Sequence, residues 1–168
     1  MHVLITRPAS DAPAWVDALR AAGHDAVACP LIEIAPHPDT RAVDHAWTQW
    51  PQWQAVMFVS AQAVRFFFAR QPQGIQVSGE RTRCWATGPG TRQALLQAGV
   101  PAELIDSPPP DAGQFDSEAL WQIVRAQVGP GQSVLIVRGT DQAASASHAG
   151  VGRDWLTQQL QAASVTVA

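Results

Sequence analysis

The sequence predicts an α/β protein: a doubly wound, parallel, five-stranded sheet domain, joined by an extended linker to an orphan βαβ fragment of a second, similar domain. Three observations carry this expectation. Short apolar runs of strand length alternate with amphipathic stretches of helical spacing along the whole chain. The run VLITR at residues 3–7 recurs as VLIVR at 134–138, and each copy leads into a helix with matching ends: Leu19, Ala21 and Ala22 in the first, Leu160, Ala162 and Ala163 in the second. Between the copies, residues 30–36 form an apolar segment bracketed by prolines, which suits an extended linker.

In chain order, the first strand is expected over 2–6, and Ser10 or Asp11 opens a helix whose Trp15, Ala18, Leu19 and Ala22 share one face. Gly23 stops that helix, and a second strand follows over 26–29. Beyond the linker, a polar stretch with Trp47, Trp50 and Trp53 leads into a strand over 55–59. Ser60 can cap the next helix, with Val64, Phe67 and Phe68 on its apolar face. A strand over 83–86 enters the turn Gly88-Pro89-Gly90-Thr91, and the helix after it packs Ala94, Leu95 and Ala98 before Gly99. A short strand over 103–105 meets three prolines, a semi-rigid loop. Asp116 caps a helix carrying Leu120, Ile123 and Val124, and strands over 133–137 and 165–168 complete the sheet. These elements give three regions: 1–29 as the strand–helix–strand fragment, 30–36 as linker, and 37–168 as the full domain. One strand–helix–strand cannot cover its own apolar faces, so the sequence reads as a two-domain protein of which part is absent.

Composition excludes several classes of function. Of 168 residues 46% are hydrophobic and 15% charged, a globular balance, and the net charge of −3 comes from interspersed acids and bases. Neither a nucleic-acid footprint nor a polybasic membrane patch is present, and no apolar run approaches the ~20 residues of a membrane span. The start lacks the layout of a signal peptide. Cys29 and Cys84 stand alone, without CxxC spacing or histidine companions, as two buried thiols of a reducing cytoplasm would. The histidines show no ligand spacing, so no metal site is expected.

Ligands of open parallel sheets bind beyond the carboxyl ends of the strands. The loops there are Thr6-Arg7-Pro8, Ser60-Ala61-Gln62, Thr87 to Thr91, and Arg138-Gly139. Three of them place a hydroxyl or glycines before a helix, where unpaired backbone N–H groups and the positive helix end attract anions. Each residue also has a plainer reading. Ser60 is a helix cap first, Gly88 and Gly90 can merely shape a turn, Thr91 can be a cap or turn residue, and Arg7 and Arg138 can be solvated or paired with acids. The turn is neither GxGxxG nor a P-loop, and no nucleophile–base pair assembles. The residues therefore support anion recognition in a cleft without identifying a reaction.

VLITRP at 3–8, LIEIAP at 31–36, FVSAQAVRFF at 58–67, TGPGT at 87–91, DSEAL at 116–120, LIVRG at 135–139 and GRDWL at 152–156 occur in this order. Together they make the chain resemble bacterial uroporphyrinogen-III synthase. The resemblance implies two α/β domains joined by a two-stranded linker. It implies an enzyme, a lyase of tetrapyrrole (heme) biosynthesis, that closes the linear tetrapyrrole hydroxymethylbilane to uroporphyrinogen III with loss of water and inversion of the last ring. It implies no metal or organic cofactor, a cytoplasmic setting, and a monomer at full length. The substrate's eight carboxylates agree with anion-ready strand ends. Residue by residue, Thr6 and Arg7 match the first strand-end motif. Ser60 matches a strand–helix hydroxyl, with Ala61 and Gln62 beside it, while Val59 and Gln62 stand where Thr and Asn are more usual. Gly88 and Thr91 match a GxxT loop around Gly90, and its threonine is the one catalytic candidate. Arg138 and Gly139 match an RG motif, and Gly152-Arg153 a following GR.

Two departures qualify this reading. The stretch 140–151 is longer than the resemblance predicts and suits a flap or a surface loop. The family continues beyond the VTV segment with a return linker and a tyrosine associated with catalysis, whereas this sequence contains no tyrosine. The expectation is a chain inactive by itself. The alternative is a non-catalytic carboxylate- or tetrapyrrole-binding module, or one that self-associates as a swapped dimer through residues 1–36.

Overall fold

The computed structural model describes residues 1–77, 81–140 and 151–168, the side chains of 151–154 excepted. The chain forms two compact units, Met1–Pro38 and Asp39–Ala168.

In the first unit, strand β1 (His2–Ile5) leads through helix α1 (Ala12–Ala21) to strand β2 (Asp25–Ala28), which lies parallel to β1 with Val3 opposite Ala26. Pro13 falls in the first turn of α1, where its missing N–H costs nothing, and Gly23 ends the helix at φ +83°. Ile5, Ala12, Val16 and Ala26 make a small core, with Val3 and Leu19 against it. Trp15, expected on the buried face of α1, is instead 47% exposed. The helix turns Ala12, Val16 and Leu19, spaced i, i+4, i+7, toward the sheet, and that phase puts Trp15 at its margin. Residues 29–38 contain no regular secondary structure, and Leu31, Ile32 and Ile34 are exposed. Cys29 is exposed as well, because the chain leaves the sheet at this point.

The second unit is built on a five-stranded, wholly parallel sheet. Its elements are α2 (Arg41–Thr48), β3 (Ala55–Phe58), α3 (Ala61–Phe68), β4 (Arg83–Ala86), α4 (Pro89–Gln97), β5 (Ile105–Asp106), α5 (Ser117–Val124), β6 (Ser133–Val137), α6 (Val151–Ala162) and β7 (Thr166–Val167). The strand order is β5-β4-β3-β6-β7. Side chains of β3 alternate between two cores, and all four residues are buried. Val56 and Phe58 join α2, α3 and α4 on one face, while Ala55 and Met57 join α5 and α6 on the other. The chain is thus doubly wound, as the alternating apolar runs predict, and the order of its strands reverses between β3 and β6.

Helix α2 was not anticipated within the polar, Trp-rich stretch. Val43, Ala46, Trp47 and Trp50 nonetheless follow the i, i+3, i+4, i+7 spacing of a buried helical face. Trp47 and Trp50 are fully buried and stacked, with ring centroids 4.8 Å apart, and Trp47 also meets Phe67 at 4.6 Å. The Trp47 indole N–H donates to the Phe67 carbonyl at 3.0 Å, and that of Trp53 to Ala46 at 3.2 Å. The strand expected at 103–105 is displaced: residues Ala102–Leu104 form a 3₁₀ turn, and pairing begins at Ile105. Arg83 on β4 grips Asp106 with two hydrogen bonds, one of 2.8 Å, which draws that residue into the edge strand. Ile123, expected in the core, is 39% exposed, while Leu120 and Val124 are fully buried.

The sequence repeat has a geometric counterpart. Val3 faces Ala26 across β1–β2, and Val134 faces Val167 across β6–β7. Past each helix one residue turns left-handed, Gly23 at φ +83° and Ser164 at φ +59°. The same backbone bonds follow: His24 N–H to Leu19 and Val165 N–H to Leu160, both 3.0 Å, then Asp25 to Met1 at 3.0 Å and Thr166 to Gln132 at 2.9 Å.

Candidate functional site

Parallel pairing in register brings three of the expected loops side by side. Phe58 of β3 lies opposite Ala86 of β4 and Val137 of β6, so the chain leaves all three strands at one level. Adjacent strands are ~4.8 Å apart. Ser60-Ala61-Gln62, Gly88-Pro89-Gly90-Thr91 and Arg138-Gly139 therefore form one row along the carboxyl edge. The Val59 N–H donates to the Val137 carbonyl at 3.3 Å, holding the first and third loops together.

Each residue in the row has a definite local role. The Ala63 N–H donates to Ser60 Oγ at 3.1 Å, so Ser60 is the N-cap of α3. The Ala61 amide, in the first turn, has no carbonyl within its own helix to reach. Gly88 caps α4 in an extended conformation, at φ −169°. A Cβ on Gly88 would sit 3.3 Å from the Phe115 Cβ, a tight contact that requires Phe115 to give by a few tenths of an ångström. Gly90 has open space around the equivalent position, and Pro89 before it lacks an N–H, so the Gly90 amide is the first donor of that helix. Thr91 lies within the first turn of α4 and is 6% exposed. Arg138 and Gly139 are exposed, and among the described residues Arg138 makes no ion pair.

Thr6 and Arg7 belong to the first unit, where they follow β1 and are exposed. The Arg7 guanidinium carbon lies 4.5 Å from the centre of the Trp15 ring, a cation–π contact that gives the half-exposed indole its place.

Motif reading missed a cavity of about 180 Å³ on the α5–α6 face of the same edge. Met57, Val59, Ile136 and Val167 give it an apolar floor, and Ser117, Arg138 and Thr157 are its polar lining. Period-two alternation could have placed Met57 and Ile136 on one face. Ser117 and Thr157 converge with them only through the topology. The stretch 141–150, read as a flap or surface loop, lies outside the described residues, as does the side chain of Arg153. Among the described residues no three His, Cys, Asp or Glu side chains gather closely enough to hold a metal ion. No helix among them is long and apolar enough to cross a membrane.

A doubly wound parallel sheet whose strand order reverses between β3 and β6, with an exposed arginine following β6, defines the class of open α/β domains. Within that class the family is specific. Residues 13–167 match the family model of uroporphyrinogen-III synthase HemD, and the chain belongs to that family. The porphyrin biosynthesis protein HemD of Ruminiclostridium josui is 27% identical over 136 residues, 80% of this chain and 26% of that protein. Two crystal structures of uroporphyrinogen III synthase from the extremely thermophilic bacterium Thermus thermophilus share the fold. A triple mutant superposes with a TM-score of 0.60 and the wild type with 0.52, each at 16% identity. Both superpositions cover 99% of this chain and 59% of the other, so the chain spans well under two thirds of these relatives.

Proposed function

We propose that this chain carries the tetrapyrrole-binding part of a uroporphyrinogen-III synthase. The reaction is closure of hydroxymethylbilane to uroporphyrinogen III, with loss of water and inversion of the last ring, in the cytoplasm and without a cofactor. The observation that carries this reading is the row of loops at the carboxyl edge of the sheet, in a chain belonging to the HemD family. A substrate with eight carboxylates needs spaced anion donors. The Ala61 and Gly90 amides and the Arg138 guanidinium are such donors, spread across three adjacent strands. Their task is orientation and stabilisation of charge, which asks for no nucleophile. Thr6 and Arg7 are further candidate carboxylate contacts of the first unit itself, whose strand–helix–strand geometry repeats that of β6–α6–β7, which supports its reading as part of a second, similar α/β domain linked through residues 30–36. Thr91, packed in α4, acts through the shape of its loop.

Residues 1–168 by themselves bind the tetrapyrrole but do not direct ring inversion, since the outer face of β1–β2 lies open, with Leu4 68% and Val27 50% exposed. The test has two arms. Titration with fluorescent uroporphyrin III is expected to show saturable binding, and its absence would overturn the binding assignment. Incubation with hydroxymethylbilane is expected to yield only the spontaneous type I isomer, and formation of the type III isomer would overturn the inactivity. The exposure of Leu4, Val27, Leu31 and Ile32 also favours a second reading, self-association through the first unit. Light scattering over a range of concentrations decides it, because a monomer throughout excludes the dimer.

A further inference from the structure

We propose that Phe115 is a positioning residue: its side chain holds the Gly88 turn, and with it the Gly90 amide, in place at the carboxyl edge. The helices α3, α4 and α5 begin after the strands β3, β4 and β5. Two of them carry a side-chain cap, Ser60 on α3 and Asp116 on α5, each accepting an N–H of its own first turn. Helix α4 has none, because Gly88 offers no side chain. Such a start keeps its donors for other partners but lacks the bond that fixes its direction. Phe115 supplies a substitute. Its Cβ, Cγ and Cδ1 lie 3.3, 3.6 and 3.7 Å from the point that a Cβ on Gly88 would occupy. The side chain that flanks this turn thus comes from another element. Backbone freedom does not explain the glycine, since φ −169° is extended backbone open to any residue. The contact also joins helices on opposite faces of the sheet, for α4 packs Ala94 and Leu95 into one core and α5 packs Leu120 and Val124 into the other. Phe115 belongs to neither core and is 42% exposed, so burial does not account for its place. What holds it there is α5, fixed at both ends. Asp116 caps the start, and past the other end Gln127 donates to Asp106 at 3.0 Å and accepts the Trp85 indole N–H at 3.2 Å.

What the Gly90 amide holds rests on the tetrapyrrole reading, whereas its positioning by Phe115 can be tested without ligand as well. In amide NMR spectra of the ligand-free full chain, the Gly90 and Thr91 signals should be sharp in the wild type and broadened by conformational exchange in Phe115→Ala. They should be sharp again in Phe115→Leu, which keeps the Cγ and Cδ1 carbons beside Gly88. Signals from β3, β4 and β6 should stay in place in both variants, because Phe115 lies outside the cores. Uroporphyrin III, followed by fluorescence, should bind Phe115→Ala about ten-fold more weakly, the loss of one charge-assisted contact. Phe115→Leu should restore that affinity. Gly90 and Thr91 signals as sharp in Phe115→Ala as in the wild type would overturn the proposal, whether or not the tetrapyrrole binds. Uroporphyrin III bound equally by wild type and Phe115→Ala would overturn it too and leave the tetrapyrrole reading standing. An affinity as low in Phe115→Leu as in Phe115→Ala would also overturn it, since the aromatic ring would then touch the ligand itself. A wild type that ignores the tetrapyrrole, with the signals broadened in Phe115→Ala alone, would overturn the tetrapyrrole reading and support the hold of Phe115 on the turn.

Discussion

At the scale of single residues, the two thiols show how strongly position governs chemistry. Cys29 is exposed just past β2, whereas Cys84 is fully buried in β4 beside the Arg83–Asp106 pair. Burial pushes the Cys84 thiol up to about 12, Asp106 adds to the rise, and Arg83 opposes it. Iodoacetamide at neutral pH should therefore modify one cysteine in the native chain and both in denaturant, as read by mass spectrometry. Two rapid modifications in the native state would contradict the burial. A consequence for stability follows from linkage. The folded state holds the Cys84 proton more tightly than the unfolded state, so the contribution is complete below about pH 9 and is lost as pH rises toward 12. The eleven residues of the lysine and arginine class are all arginine and tyrosine is absent, so lysine and phenol ionisation do not obscure that window. The urea unfolding free energy of the native sequence should fall between pH 9 and 12, and that of Cys84→Ala should stay nearly level. Parallel declines would mean that Cys84 does not cause the loss.

At the scale of elements, capping tests whether the strand-end loops serve the fold or the ligand. Ser60 Oγ accepts the Ala63 N–H, and the Asp116 carboxylate accepts the Ala119 N–H at 2.8 Å. Ser60→Ala and Asp116→Ala should each cost about 1 kcal/mol, measured by urea unfolding. Ser60→Asp keeps a cap acceptor, so stability should survive while the added charge weakens uroporphyrin III binding several-fold. Unchanged binding would make Ser60 a cap and nothing more. The legibility of these elements in the sequence divides along physical lines. Ser60 and Asp116 could be read because a cap is a local device, and β3, β4 and β6 because a doubly covered strand is a continuous apolar run. Helix α2 carried its apolar spacing openly, but intervening Asp44, His45 and Thr48 disguised it as a loop. The start of β5 was illegible because an ion pair from β4, 23 residues away, helps define it. Trp15 was misplaced because its Arg7 partner comes from a different element. The loops of the candidate site were legible from strand–helix order alone. The cavity beside them was not, since Met57, Ser117, Ile136 and Thr157 meet only once the chain is folded.

At the scale of the molecule, the two units hold very different cores. The second covers its sheet on both faces, with Trp47, Trp50, Trp85, Phe58 and Phe67 fully or almost fully buried. The first unites two strands and one helix around Ile5, Ala12, Val16 and Ala26, none of them large and aromatic. A two-stranded sheet with one covered face is marginal in water, whereas the large aromatics of the second unit each bury ~150–250 Å². Local opening of the first unit should therefore require far less free energy than opening of the second. Hydrogen–deuterium exchange read by mass spectrometry separates them on the intact chain. Peptides covering β1 and β2 should exchange at least about 100-fold faster than those covering β3, β4 and β6, where each decade corresponds to ~1.4 kcal/mol of opening free energy. Repeating the measurement at rising protein concentration distinguishes the two readings of the exposed apolar surface. Self-association through the first unit would slow exchange in β1 and β2 and leave β3, β4 and β6 unchanged. Concentration-independent exchange would instead leave Leu4 and Val27 uncovered by any second copy. Equal protection of both units in dilute solution would refute the inference that the small core is the weaker one.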